Sequence, residues 1–296
     1  MRARTGRSPF YAAGITAIAA AALAGCAAAG SGTGAAASGA NTAAPSSPLD
    51  AVQLAAKTTS GANSFTGTMS VQATSKSGAT GSGSVSMSAT MAEQLHPSLL
   101  ARVQIGTLSA AGSTLPGGLT ELLTPSNLYL KWSFLTQELH LTKPWLEIPV
   151  SAMSKSSGVN LSQIFSQATS SSPLNESQLL AGASDVRKVG TGTIDGVPVT
   201  EYTGTVSLDK GMQYLSGSAK TSMQKEVAAA GLTTATFTVW VDGQRVMRRA
   251  VITEHGTALT EVITVAISTL NQPVNIQTPA ADQTTSLPSG ALGSLG

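Results

Sequence analysis

One cysteine in 296 residues, Cys26, is the first scarcity of this chain. It excludes an intrachain disulfide framework and any thiolate-rich metal site, so core burial alone must hold the folded body. Charge is scarce as well: charged residues are 11% of the chain and aromatics 4%. No basic stripe remains to grip a phosphate backbone, which removes nucleic acid as a partner. Histidine occurs only three times, as His96, His140 and His255. His96 precedes a proline and His255 sits beside Glu254 at an expected turn, so these read as solvent-facing turn residues rather than ligands.

Catalytic signatures are missing too. No H-E-x-x-H, G-x-S-x-G or G-x-x-x-x-G-K-[ST] occurs. Ser222-Met223-Gln224-Lys225 matches S-x-x-K. Without S-D-N or K-T-G it reads as a solvated helix face. Gly30, Gly32 and Gly34 follow no strand and carry no dinucleotide fingerprint. Arg245, Arg248 and Arg249 form a small basic cluster that reads as a solvated strand edge, with contact to an anionic lipid headgroup as the alternative. Neither a metal nor a cofactor is implied, and the chain reads as non-enzymatic.

What is present begins at the N-terminus. Arg2, Arg4 and Arg7 precede an uncharged, alanine-rich run from Phe10 to Ala24. That is the layout of a secretory signal, and it is short of the about 20 apolar residues a membrane span needs. Three of the 17 basic residues lie in this signal, so a mature chain with 15 acidic residues is close to neutral. Leu23-Ala24-Gly25-Cys26 closes it and resembles the bacterial lipoprotein signal, or lipobox. The resemblance implies that the Cys26 thiol takes a diacylglyceryl group and becomes the mature N-terminus. The protein would then be lipid-anchored at the extracytoplasmic face of the cell membrane.

Residues 27–48 are almost entirely Ala, Gly, Ser, Thr and Pro without a charge. Such a segment buries too little to fold and should act as a tether reaching about 25 Å. Ser47-Pro48-Leu49-Asp50 then carries an N-cap hydroxyl, a proline at N1 and an early acid, and predicts a helix ending at Gly61. Period-two alternation follows in Phe65–Ala73, Val85–Met91 and Ala101–Ile105, the mark of half-buried antiparallel strands. Further strands are expected over Leu128–Phe134 and Trp145–Ile148. Helices are expected after Asn160, with Leu161, Ile164, Phe165 and Ala168 on one face, and after Ser172 up to Gly182. Asp195-Gly196 marks a two-residue hairpin between Asp185–Ile194 and Val197–Leu208. A helix from near Ser218 to Gly231 leads into a meander of Thr233–Val241, Arg245–Glu254 and Thr257–Ser268. Its turns fall at Asp242-Gly243 and His255-Gly256. A short strand over Val274–Gln277 would close the fold.

Strands outnumber helices and no βαβ alternation appears. The expected class is α+β: a single curved antiparallel sheet, a half-barrel, with helices covering one face. The expected organisation is a signal over residues 1–25 and a lipidated cysteine with its tether over 26–48. A folded domain follows over 49–277, then a disordered tail over 278–296.

Several short stretches resemble one family. Asn127-Leu128-Tyr129-Leu130-Lys131 and Lys143-Pro144-Trp145-Leu146-Glu147-Ile148 are similar to a motif pair of actinobacterial lipoproteins of the LppX/LprG type. Gly182–Val186, Val189-Gly190, Ile194–Tyr202 and Phe237–Asp242 continue the likeness. The resemblance implies a LolA/LolB-like fold whose apolar cavity, between sheet and helices, can take acyl chains of a lipid or glycolipid. The expected partners are the membrane, through Cys26, and such a lipid, bound by a monomer. Met69, Val71, Met87, Val103 and Ile105, with Leu130, Trp132 and Trp145, are the expected cavity lining. Met69, Met87 and Met91 would offer flexible thioethers to an irregular guest. The rival expectation is an envelope sensor or interaction lipoprotein whose core is filled.

Overall fold

The computed structural model describes residues 45–75, 83–110, 113–115, 118–138, 140–150, 177–215, 217–257 and 259–286. Its first element, α1 (Pro48–Ser60), starts where the sequence signals it. The Ser47 hydroxyl accepts from the Asp50 N–H at 3.1 Å, and the Gly61 N–H closes the helix on the Lys57 carbonyl. Ala51, Val52, Ala55, Ala56 and Thr59 form its buried face. Four of these are small, which lets the helix axis lie close to the sheet beneath.

Strands β1 (Ser64–Ser75), β2 (Ser84–Gln94) and β3 (Leu100–Ala110) follow as an antiparallel run. The short β4 (Ser113–Leu115) pairs with β3, and β5 (Leu119–Leu123), β6 (Asn127–Lys131) and β7 (Trp145–Pro149) extend the sheet beyond it. The second half of the chain supplies β8 (Ala183–Ile194), β9 (Val197–Ser207), β10 (Leu232–Asp242), β11 (Met247–Gly256) and β12 (Leu259–Leu270). Asp195 and Gly196, both at positive φ (49° and 78°), make the tight turn between β8 and β9. β12 then pairs with β1 along its length, Met69 opposite Val265, and joins the two halves. The described strands form one thirteen-stranded sheet with the order β13-β7-β6-β5-β3-β2-β1-β12-β11-β10-β9-β8 and β4 beside β3, where β13 is Thr284–Ser286.

Several expectations are corrected. The strand expected over Leu128–Phe134 ends at Lys131, and α2 (Ser133–Glu138) begins, because the Thr136 N–H and hydroxyl both donate to the Trp132 carbonyl. No strand covers Val274–Gln277. Part of the expected disordered tail is ordered instead: β13 pairs with β7, and that pairing is parallel, so the sheet is mostly rather than wholly antiparallel. The Lys143 ammonium holds this segment by donating to the Ala281 and Thr284 carbonyls at 3.0 and 2.9 Å. Such side-chain-to-backbone ties leave no trace in hydrophobic pattern.

The turn at Asp242-Gly243 spans residues 243–246. The buried Asp242 carboxylate accepts from the Gln244 and Val246 N–H groups and from Arg248 Nε, the last at 2.7 Å. The expected basic cluster is therefore no sheet edge: β11 is an interior strand, Arg248 is paired with Asp242, and Arg249 lies 5.3 Å from the Trp240 ring. The expected helix around Ser172–Gly182 is described only as a 3₁₀ turn over Ser177–Gly182, and the helix after Asn160 lies outside the described residues. α3 (Leu208–Gly211) and α4 (Gly217–Ala230) connect β9 to β10. Among the described residues, helical cover of the sheet is partial: α1 packs on β8, β10 and β11.

Candidate functional site

The pairing register sorts the sheet into two faces. One is lined from strand to strand by Phe237 and Val239 on β10, Ile252 and Ala250 on β11, and Ile263, Val265 and Ile267 on β12. It continues through Met69 and Val71 on β1, Met87, Ala89 and Met91 on β2, and Val103 and Ile105 on β3. Leu119 and Leu123 on β5, Leu128 and Leu130 on β6, and Leu146 and Ile148 on β7 complete it. The opposite face carries hydroxyls that pair across strands, Thr66 with Thr269 at 2.7 Å and Ser88 with Thr107 at 2.6 Å. A one-residue slip would exchange the two faces, so burial fixes this register.

The apolar face divides into clusters. Phe65, Met87, Ala89, Met91, Val103, Ile105, Leu108, Val265 and Ile267 form one, with Met69, Val71, Leu119 and Ile263 half-buried against it. Five expected lining residues, Met69, Val71, Met87, Val103 and Ile105, thus come together. Leu130 shares their face but packs on a neighbouring cluster around Leu123, Leu128, Leu146 and Ile148. Trp132 sits past the end of β6, its ring 4.9 Å from that of Phe134. Trp145 is a correction. On β7 it is Leu146 and Ile148 that pair with Leu130 and Leu128, so Trp145 points to the opposite face, where the Lys131 ammonium lies 5.8 Å from its ring. Cys26, Leu23, Ala24 and Gly25 lie outside the described residues.

A second cluster packs Val52, Ala55 and Ala56 of α1 with Leu180 of the 3₁₀ turn onto Phe237, Val239 and Met247. Between the two clusters lies a cavity of ≈ 20 Å³, lined by Thr59, Ser177, Leu180, Met247, Ala250, Ile252, Val265 and Ile267. It has room for about one water. Thr59 Oγ1 accepts from the Met247 N–H at 3.1 Å and Ser177 donates to the Ala56 carbonyl at 3.3 Å. The polar atoms at its rim are therefore satisfied, and the space itself is apolar.

Carboxylates on the apolar face escaped the sequence reading. Glu93, Glu121 and Glu254 are buried there, and Glu261 stands directly across from Glu254. Glu121 lies between Val103 of β3 and Leu130 of β6. Its Oε2 is buried without a hydrogen-bond partner, and burial pushes its pKa up to about 7. The alternation Leu119-x-Glu121-x-Leu123 could have flagged it, but β5 is only five residues long and apolar on both sides near its end. Among the described residues no group of three His, Cys, Asp or Glu could hold a metal, and His96, His140 and His255 are all exposed. No described helix is long and apolar enough to cross a membrane.

Fold and site together define a class: an open, mostly antiparallel sheet with few helices among the described residues and one largely apolar face. No family model matches the chain. An uncharacterized 31.2 kDa protein of Streptomyces griseus is 29% identical over 147 residues, 48% of this chain and 48% of that protein. The match thus spans about half the relative's length. Among solved structures, the lipoprotein LppX of Mycobacterium tuberculosis is similar over 78% of this chain and 98% of its own, at 20% identity and a TM-score of 0.45. LprF of Mycobacterium bovis is similar over 79% of this chain and 97% of its own, at 13% identity and a TM-score of 0.46. A LolA superfamily protein of Nitrosomonas europaea covers 74% of this chain and 91% of its own, at 8% identity and a TM-score of 0.25. LppX and LprF, of the type that the motifs resemble, thus stand among the solved structures similar to this chain.

Proposed function

We propose that this protein is a membrane-anchored bacterial lipoprotein, a non-enzymatic carrier that shelters the apolar part of an envelope lipid or glycolipid. One observation carries the reading: the cluster on β1, β2, β3 and β12 contains no residue of α1, and Met69, Val71 and Ile263 at its margin stay half-buried. Half-buried aliphatic side chains beside adaptable methionines suit an irregular acyl guest. Burying them beneath a lipid chain would gain roughly 25 cal/mol for each Å² removed from water. The anchor is the diacylglyceryl group on Cys26, which needs two chains to hold stably, and it leaves the domain facing away from the cytoplasm. Leu23, Ala24 and Gly25 supply the recognition sequence.

The ≈ 20 Å³ cavity favours a second reading, an envelope sensor or interaction lipoprotein with a filled core. It is far below the about 300 Å³ at which ligand pockets begin. A carrier that used this space would have to widen it, and the half-buried margin of the Met69 cluster is the place we assign to that opening. Extraction of the full chain purified from its own membranes, with mass spectrometry of the organic phase, separates the two. The carrier reading expects about one lipid per protein beyond the anchor. A lipid-free protein would select the sensor. For the anchor, Cys26→Ala should move the protein from the membrane fraction to the soluble fraction. Full membrane retention of that variant would mean that the N-terminal segment is an uncleaved helix.

A further inference from the structure

Among the described residues, four carboxylates face the apolar side of the sheet. Glu93, Glu254 and Glu261 engage other groups, whereas Glu121 presents a buried oxygen with none. Across the sheet Glu121 belongs to a row running Met91, Val103, Glu121, Leu130, Leu146. Every other member is aliphatic or a thioether, and Glu121 is itself only 5% exposed. The nearest charged groups on the adjoining strands, Arg102 and Lys131, sit at neighbouring positions of opposite parity and so point to the other face. Among the described strand residues from β1 to β7, Glu93 on β2 is the other ionisable group of this side. A buried polar atom left without a partner is costly, and the cost disappears when a ligand brings the missing donor.

We propose that Glu121 is a ligand-recognition residue: its free Oε2 accepts a hydrogen bond from a hydroxyl group carried by an otherwise apolar guest lying on the β2–β7 part of the sheet. The proposal rests on the carrier reading and gives it a substrate class, hydroxyl-bearing lipids. The site has one unsatisfied acceptor and an aliphatic surround, and a hydroxyl brings one donor. An alkylammonium would bring three, two of which would stay unpaired among Met91, Val103 and Leu130. A saturated hydrocarbon would bring none and leave Oε2 as it is. Burial raises the carboxyl's pKa, which agrees with a group surrounded by hydrocarbon rather than by water.

The probes are 1-decanol and its methyl ether, which share the chain and differ in the donor. Binding is measured at pH 9, where the carboxyl is ionised and can only accept. The full chain is reconstituted at equal protein and lipid for wild type, Glu121→Leu and Glu121→Gln, and each affinity is corrected for the probe's own partition into the same lipid without protein. Wild type should hold the alcohol about tenfold more tightly than the ether, the worth of one net hydrogen bond. Glu121→Leu should abolish that preference while binding the ether as well as wild type does. Glu121→Gln keeps a carbonyl acceptor and should retain part of it. Thermal unfolding of each variant confirms that the fold is intact. Equal affinity of wild type for both probes, or a preference that survives in Glu121→Leu, would overturn the hydroxyl site and leave the carrier intact. Failure of wild type to bind either probe would overturn both.

Discussion

The two halves of the apolar face are built from the same kinds of strand yet sealed to different degrees. Under α1, the residues Val52, Ala55, Ala56, Leu180, Val239 and Phe237 are 0–2% exposed. On β1, β2, β3 and β12, Phe65 and Ile105 are as deep, at 0% and 2%, but Met87, Ala89, Met91, Val103, Leu108, Val265 and Ile267 are each 5–8% exposed, with Met69, Val71 and Ile263 more open. The first half uses small helix residues against Phe and Val, shapes that interlock with little freedom. The second uses unbranched thioethers, which repack at small cost. On the carrier reading, the sealed half gives the fold its stability, and the looser half is where a guest would enter without unfolding the molecule. The ≈ 20 Å³ cavity sits on the seam between them.

The largest effect should come from the sealed half. Phe237 stands opposite Gly204, and its ring fills the space that a side chain at position 204 would need. Phe237→Ala would leave a void that neither Gly204 nor the α1 alanines can fill. It should cost about 3–5 kcal/mol, read as a fall in the urea midpoint. A cost near 1 kcal/mol would mean that α1 settles into the void and that this half is not rigidly packed.

Glu121, on β5 beside the looser half, gives a pH test of intermediate size. Its carboxyl is held at about 7 in the folded protein by burial alone, above the ordinary value of 4.5. The folded state therefore keeps a proton that the unfolded state has lost between those two values. Stability from this group is full below about pH 4.5, declines as pH rises to about 7, and is level above that, an overall loss of about 3 kcal/mol. Glu93 is the other titratable group of that side and is common to both proteins compared. Unfolding midpoints at pH 5 and pH 8 should diverge in wild type and converge in Glu121→Gln. Identical pH slopes in the two would mean that water reaches the carboxyl.

How much of this was readable in advance follows from the range of the interactions. β1, β2, β8 and β9 were legible because period-two alternation and the Asp195-Gly196 turn are local. The Ser47 cap of α1 was legible for the same reason. The pairing of β1 with β12 was not, since it joins Met69 to Val265 across most of the chain. Nor was β13, whose Thr and Ser residues bury little and are tied down by Lys143. Trp145 was misplaced for a different reason. Its size drew it into the expected lining, although the alternation of Leu146 and Ile148 already put it on the other face. Glu121 was missed because a charged residue was not sought among apolar ones.

The smallest stability effect bears most on what the looser half does. Met69 lies at the margin of its cluster, half-buried, with Val265 and Ala89 as its cross-strand neighbours. Truncating a sealed methionine costs about 2–5 kcal/mol, and a half-exposed one loses roughly half its transfer energy and leaves no closed void, so Met69→Ala should cost about 1 kcal/mol. A guest lying against the thioether would add a second consequence: lipid recovered with Met69→Ala should fall, while the lipid-free urea midpoint drops by no more than that about 1 kcal/mol implies. The contrast with Phe237→Ala decides between the readings. If Met69→Ala costs 3 kcal/mol or more and changes no lipid recovery, both halves are filled core, and the sensor reading stands. If stability is spared and lipid is lost, the two halves divide the work, one holding the sheet together and the other holding the guest.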